Sequence, residues 1–269
     1  MERKRNLYNT RSLDLMAEQG GAGGPVLLLC HGMSGTGAVW DGLRPYLEAH
    51  WRGRWIIPDL RGHGQSGHAS GYGIAQHAGD LATLVQDAMA QEFGRVVVCG
   101  HSMGGLAAMV LASGWYGVAV TDVIAVGVKI SWTGEERAQA TRLAATPVRW
   151  FENRDEAVDR FLRVSGLAGL ADSGSPVVAS GIVEVNGRWR LAADNRTALV
   201  AGSDTVEIYR LAREHTNVVL AAGQGDWMVP ADELHALSAD AIILDGLGHN
   251  AHVEDPARIW SLIAETINL

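Results

Sequence analysis

The sequence predicts an α/β fold: a mostly parallel sheet covered by helices on both faces. Three observations predict it. Strand-length apolar runs alternate with helical patterns over most of the 269 residues. The run Val96-Val97-Val98-Cys99 leads into Gly100-His101-Ser102-Met103-Gly104, and the apolar, helix-forming Leu106-Ala107-Ala108-Met109-Val110-Leu111-Ala112 follows. His31, Asp59, Ser102, Asp226 and His249 each come just after a strand-like run. In open sheets of this type, function collects at the carboxyl ends of the strands.

Taken in order, residues 7–18 alternate loosely and suggest one or two edge strands. Gly20-Gly21-Ala22-Gly23-Gly24 is a flexible turn and no phosphate loop, since no Gly-Lys-Ser/Thr follows. Pro25–Cys30 reads as a buried strand that enters His31-Gly32-Met33-Ser34-Gly35, with a helix around Ala38–Glu48. Trp55–Pro58 is a strand, and the turn-rich Asp59-Leu60-Arg61-Gly62-His63-Gly64-Gln65-Ser66 follows it. Leu81, Leu84, Val85, Ala88 and Met89 recur at helical spacing. Val120–Val128 reads as another strand.

From residue 130 to about 215 the character changes. Thr133-Gly134-Glu135-Glu136 is a capping box, and Asn153-Arg154-Asp155-Glu156 repeats its spacing. Residues 181–191 read as a hairpin around Asn186-Gly187, and a helix is expected over Arg196–Glu214. The strand–helix rhythm returns with Asn217–Ala222, a short helix over Ala231–Leu237, and the last strand Ala241–Leu244. Asp255-Pro256 then opens a final helix with Ile259, Leu262, Ile263 and Ile267 on its apolar face.

Bulk numbers narrow the function. The chain is 47% hydrophobic and 19% charged, with a net charge of −8. An acidic chain is poorly suited to nucleic acid or anionic membrane, which require clustered cations. Eleven arginines between 131 and 215 are matched by twelve Asp and Glu in the same span, which argues for solvated helix faces rather than a basic patch. The basic start, Met1-Glu2-Arg3-Lys4-Arg5, has no apolar segment behind it and does not read as a signal peptide. No apolar run has membrane-spanning length. Cys30 and Cys99 lie in strand-like runs and are expected as buried free thiols, which suits a reducing cytoplasm. No metal or cofactor motif is present.

A serine between a strand and a helix sits on a sharp turn that lifts its hydroxyl above the sheet, and small residues two before and two after let the flanking backbones approach. The alternative is a tight turn whose serine only caps the helix. A hydroxyl needs a base, and a carboxylate to orient that base. His249, after the last strand, is the best-placed imidazole, and Asp226 is the matching acid, although it could instead cap local backbone. His101 lies inside the elbow, pointing away from the serine; His63 and His68 lie on a surface-like turn; His252 starts the next helix. The order Ser102, Asp226, His249 matches one triad class and neither protease order. An attacked carbonyl also needs oxyanion donors. The amide of Met103 is one, and the amide of Met33 is the expected second.

With these residues in place, the chain resembles the α/β-hydrolase fold superfamily over nearly its whole length. The resemblance rests on His31-Gly32, the Asp59–Ser66 turn, the Gly100–Gly104 elbow, Asp226 and Gly248-His249. It implies an eight-stranded core from residues 1–129 and 216–269, with 130–215 inserted as a mainly helical cap over the active site. It also implies a hydrolase acting through an acyl-enzyme on a carboxylic ester, lactone or thioester. Carbon–carbon bond hydrolases and amidases share such a triad, and some members of the superfamily are non-catalytic small-molecule binding proteins. No cofactor is implied. Arg61-Gly62-His63-Gly64 is expected to shape a structural turn.

The expected partner is a small, largely apolar molecule. Trp132, Trp150, Phe151 and Trp189 lie in the insertion, and Trp227 follows Asp226. These rings either line a pocket or pack the insertion onto the sheet. Lys129, at the end of the sixth strand, either meets a substrate carboxylate or is solvated.

Overall fold

The computed structural model describes residues 4–10, 13–89 and 94–269. The first three residues of the basic start, and residues 11 and 12 of the loosely alternating stretch, lie outside them. The strands are β1 (Lys4–Asn9), β2 (Asp14–Gly20), β3 (Val26–Cys30), β4 (Arg54–Pro58), β5 (Val96–His101), β6 (Val120–Val126), β7 (Ile182–Val185), β8 (Arg188–Leu191), β9 (Asn217–Gly223) and β10 (Ile242–Leu244). The helices are α1 (Arg44–His50), α2 (Ile74–Ala88), α3 (Met103–Leu111), α4 (Gly134–Ala144), α5 (Arg154–Val164), α6 (Pro176–Gly181), α7 (Thr205–Arg213), α8 (Ala231–Leu237), α9 (Ala251–Glu254) and α10 (Pro256–Ile267).

Eight strands form one sheet in the order β1-β2-β4-β3-β5-β6-β9-β10. β1 pairs antiparallel with β2, and β2 with β4; every other pairing in this sheet is parallel. Alternation along each central strand supplies both faces of the core. Leu28, Cys30, Val96 and Val98 face one hydrophobic cluster, which α2, α3 and part of α7 cover. Leu27, Leu29, Val97 and Cys99 face the other, which Trp40, Leu43, Leu47 and α10 cover. Every residue of α3 is buried. Both cysteines are buried free thiols.

The caps read in the sequence form. Thr133 Oγ1 accepts from the Glu136 amide at 3.2 Å while Glu136 Oε2 accepts from the Thr133 amide at 2.9 Å. Asn153 Oδ1 accepts from the Glu156 amide at 3.0 Å, and Asp255 Oδ1 from the Arg258 amide at 2.9 Å. β7 and β8 pair antiparallel across Asn186 and Gly187, both at positive φ (51° and 77°).

Three elements depart from expectation. The helix expected around Ala38–Glu48 is a 3-10 segment, Gly37–Leu43, followed by α1. The helix expected over Arg196–Glu214 is interrupted: a 3-10 segment spans Asn195–Gly202, and α7 starts afresh where Asp204 Oδ1 accepts the Glu207 amide at 3.1 Å. α7 falls within the 130–215 span, yet it buries Tyr209 and Ala212 in the sheet-side cluster with α3. β6 ends at Val126 rather than Val128, because Gly127 adopts φ 65°.

Candidate functional site

The site is built at the C-terminal ends of β3, β5, β6, β9 and β10. β5 passes directly into α3 through Ser102, which sits at φ 49°, ψ −117°. Non-glycine residues rarely adopt positive φ, and it costs energy. The neighbours make that turn possible. A Cβ at Gly100 would lie 2.5 Å from the backbone of Gly104, and one at Gly104 would lie 2.4 Å from the Cys30 carbonyl oxygen. The Ser102 amide is tied to the Val126 carbonyl at 2.8 Å, which anchors the turn to β6. Met103 opens α3, so its amide lies in the first turn, where helical N–H groups lack intrahelical acceptors.

Asp226 follows β9, and its side chain is fully buried. Its Oδ1 accepts from the Met228 amide at 2.9 Å, and its Oδ2 meets His249 Nδ1 at 2.8 Å. A carboxylate only accepts, so Nδ1 carries the proton and Nε2 is the nitrogen left for other work. Gly127 fits between these groups: a Cβ there would lie 3.3 Å from Asp226 Oδ2 and from the His249 carbonyl oxygen. Gly223 is far tighter, 2.2 Å from the Gly248 carbonyl by the same measure.

Other histidines crowd the base. His101 is buried, and its Nε2 donates to the His249 carbonyl at 2.9 Å. Its ring stands edge-on to His249 at 4.7 Å and against His252 at 4.2 Å. His101 therefore lies against the base and lines the cavity with it. His252 is also packed on Trp40, at 4.6 Å. Burial pushes His252 down to about 3 and His101 well below the ordinary imidazole value, so both rings are neutral.

The turn after β3 is braced from below. His31 accepts the Leu60 amide at Nε2 (2.9 Å) and donates from Nδ1 to the Gly32 carbonyl (2.7 Å). His63 accepts the Ser34 amide at Nε2 (3.2 Å) and donates from Nδ1 to the Arg61 carbonyl (3.0 Å). His63 is fully buried, not on a surface turn. Asp59 accepts the amides of Gly37 (2.8 Å) and Gln65 (3.0 Å). The Asp59–Ser66 turn thus shapes the loop that carries Met33.

Ser102 opens onto two cavities. The larger, about 450 Å³, is lined by Ser102, His249, Met33, Trp227 and residues 163–167 at the C-terminal end of α5. The smaller, about 40 Å³, contains Ser102, Met33, Met103, Lys129 and Trp132. Trp227 stands at the mouth of the larger cavity, 81% exposed. Lys129 is not solvated: its Nζ meets Glu136 Oε1 at 2.7 Å and lies 5.2 Å from the Trp132 ring centre. That contact holds the Glu136 carboxyl at about 2.

Trp150 and Trp189 line neither cavity. Trp150 lies beside Arg188 and Arg190, with 5.0 and 6.0 Å from guanidinium to ring centre. Trp189 is bridged to Phe151 and packs on the second core cluster. The arginine and Phe151 contacts of these two rings lie within residues 149–191. The sequence reading also missed Asn250, whose Nδ2 donates to the carbonyls of Ser165 (3.2 Å) and Gly166 (3.0 Å). Glu254 was missed as well; its Oε2 accepts the Gly248 amide at 2.6 Å. Neither stands in a motif; Asn250 acts across the fold, and Glu254 closes the local turn that carries His249. Among the described residues, no cluster of His, Cys, Asp and Glu is grouped to hold a metal ion.

Residues 27–262 match the profile described as the Alpha/beta hydrolase family. The chain belongs to that family. It spans 35% of the length of the first curated relatives it matches, three uncharacterized mycobacterial proteins. It is 30% identical over 240 residues to the magnesium-chelatase 30 kDa subunit of Rhodobacter capsulatus, covering 83% of this chain and 77% of that one. Lipase LipV of Mycobacterium tuberculosis is 37% identical over 102 residues, 38% of this chain and 37% of the lipase. Among solved structures, E-2-(acetamidomethylene)succinate hydrolase superposes with a TM-score of 0.82 at 23% identity over all of both chains, a likeness of fold. Among the described residues, no helix of this alpha/beta hydrolase is long and apolar enough to cross a membrane.

Proposed function

We propose that this alpha/beta hydrolase is a serine hydrolase that cleaves a carboxylic ester, lactone or thioester of a small, largely apolar molecule through an acyl-enzyme. The observation that carries this reading is the His249–Asp226 contact of 2.8 Å beside the strained Ser102, with Ser102 and His249 in one cavity wall. Ser102 Oγ attacks the carbonyl carbon and gives its proton to His249 Nε2. The amides of Met103 and Met33 receive the oxyanion. As the bond to the leaving group breaks, Nε2 passes that proton to the departing atom. Water then repeats the sequence on the acyl-enzyme, with His249 as base again. Asp226 fixes the imidazole tautomer and stabilises the imidazolium. The 130–215 segment serves as a cap, since residues 163–167 wall the larger cavity.

A fluorophosphonate probe tests the assignment directly. It is expected to label the wild type at one residue, and Ser102→Ala is expected to abolish labelling and lower kcat on the order of 10⁴-fold or more. Labelling that persists in Ser102→Ala would overturn it. The match to a protein named as a magnesium-chelatase subunit favours a second reading, a non-catalytic binding protein. Unlabelled wild type that still binds small esters would support that one.

A further inference from the structure

Ser102 stands at the junction of two cavities of very different size and chemistry. We infer that the smaller slot takes the acyl group and the larger cavity takes the leaving group, so the substrate joins a short acyl chain to a bulkier alcohol or thiol. This rests on the serine-hydrolase reading.

Proton bookkeeping decides the orientation. His249 accepts the Ser102 proton and must return it to the leaving atom, so the leaving group lies on the His249 side. His249 lines the larger cavity, together with Gly248 and Asn250, and is absent from the smaller. The carbonyl oxygen points at the Met33 and Met103 amides. The third substituent, the acyl chain, is then left the direction away from His249, and there the slot between Leu106, Val128 and Val200 opens.

Size sets the limit. A slot of about 40 Å³ is little more than the ~30 Å³ one water occupies in the liquid, so it admits only a short acyl chain. Trp132 and the paired Lys129 also line it. The larger cavity, about 450 Å³, sets no such limit on the leaving group.

Two ester series test this. In p-nitrophenyl esters of increasing acyl length, kcat/KM is expected to rise by about fourfold per methylene up to roughly C4. It should then drop at least tenfold by hexanoate. In acetates of alcohols of similar acidity, it is expected to rise at least tenfold from ethyl to benzyl to 2-naphthylmethyl. Trp132→Ala should move the acyl optimum to longer chains and recover hexanoate, with the alcohol series unchanged. Val164→Trp, in the larger cavity wall, should cut 2-naphthylmethyl acetate at least tenfold and spare ethyl acetate. A wild type that prefers octanoate, or an acyl profile untouched by Trp132→Ala, would overturn the orientation while leaving Ser102-dependent hydrolysis intact. Absence of any Ser102-dependent hydrolysis would overturn both readings.

Discussion

The backbone N–H of Ser34 donates to Nε2 of His63 at 3.2 Å. Ser34 is in the left-handed region, φ 63°, directly after Met33. A residue in the turn after β4 therefore fixes the loop proposed to present an oxyanion donor. His63→Ala orphans the Ser34 amide and the Arg61 carbonyl, each loss costing about 1–3 kcal/mol. We expect kcat to fall on the order of tenfold or more with KM less affected, measured on a short-chain ester. A lower Tm with unchanged kcat would confine His63 to stability.

Acid should unfold this protein early. Burial pushes His31 down to about 4 and His63 and His252 to about 3, and lowers His77 and His101 as well. In the unfolded chain these imidazoles titrate near 6.5. Below that pH the unfolded chain takes up protons that the folded chain refuses. Stability is therefore full above about 6.5 and falls as pH drops, until the folded values are passed. Each such histidine removes about 1.4 kcal/mol per pH unit in that window. Tm should be flat from pH 8 to 7 and fall steeply below 6. A Tm unchanged down to pH 5 would contradict this.

Asp226→Asn should keep the fold and lose kcat by about 10⁴-fold, because an amide can hold the wrong imidazole tautomer. His249→Ala should cost about as much as Ser102→Ala, and the double variant little more, since the groups act as a unit. Additive losses in the double variant would mean that the two side chains work separately.

Two glycines should respond with opposite sign. At Gly104 a Cβ would meet the Cys30 carbonyl at 2.4 Å, so Gly104→Ala should destabilise by about 3 kcal/mol in urea unfolding. At Gly134, the first residue of α4, a Cβ would meet nothing within 4 Å. Gly134→Ala should stabilise by about 0.4–1 kcal/mol. Equal effects would show that close packing does not govern the elbow.

Much of this structure is local, and local structure is legible in residue order. The elbow, the Asn186-Gly187 hairpin and the caps at Thr133, Asn153 and Asp255 each depend on a few neighbouring residues. What escaped depends on how elements turn against one another, near in sequence or far. Trp150 and Trp189 are aromatic in sequence, but only their contacts with the hairpin arginines and with Phe151 determine that they line neither cavity. Lys129 looks like a lone cation until α4 brings Glu136 beside it. The break before α7 turns on whether Asp204 continues a helix or caps one, and propensity does not separate these. The two cavities were illegible because voids are properties of packing rather than of residues.

The Asn250 amide grips the wall of the larger cavity while its own backbone adjoins His249. The cavity wall and the base therefore meet at adjacent residues. Lifting the 163–167 wall to admit a bulky molecule must either break those two bonds or drag on the residue next to the imidazole. The position of that wall and the position of the base are thus tied through one residue.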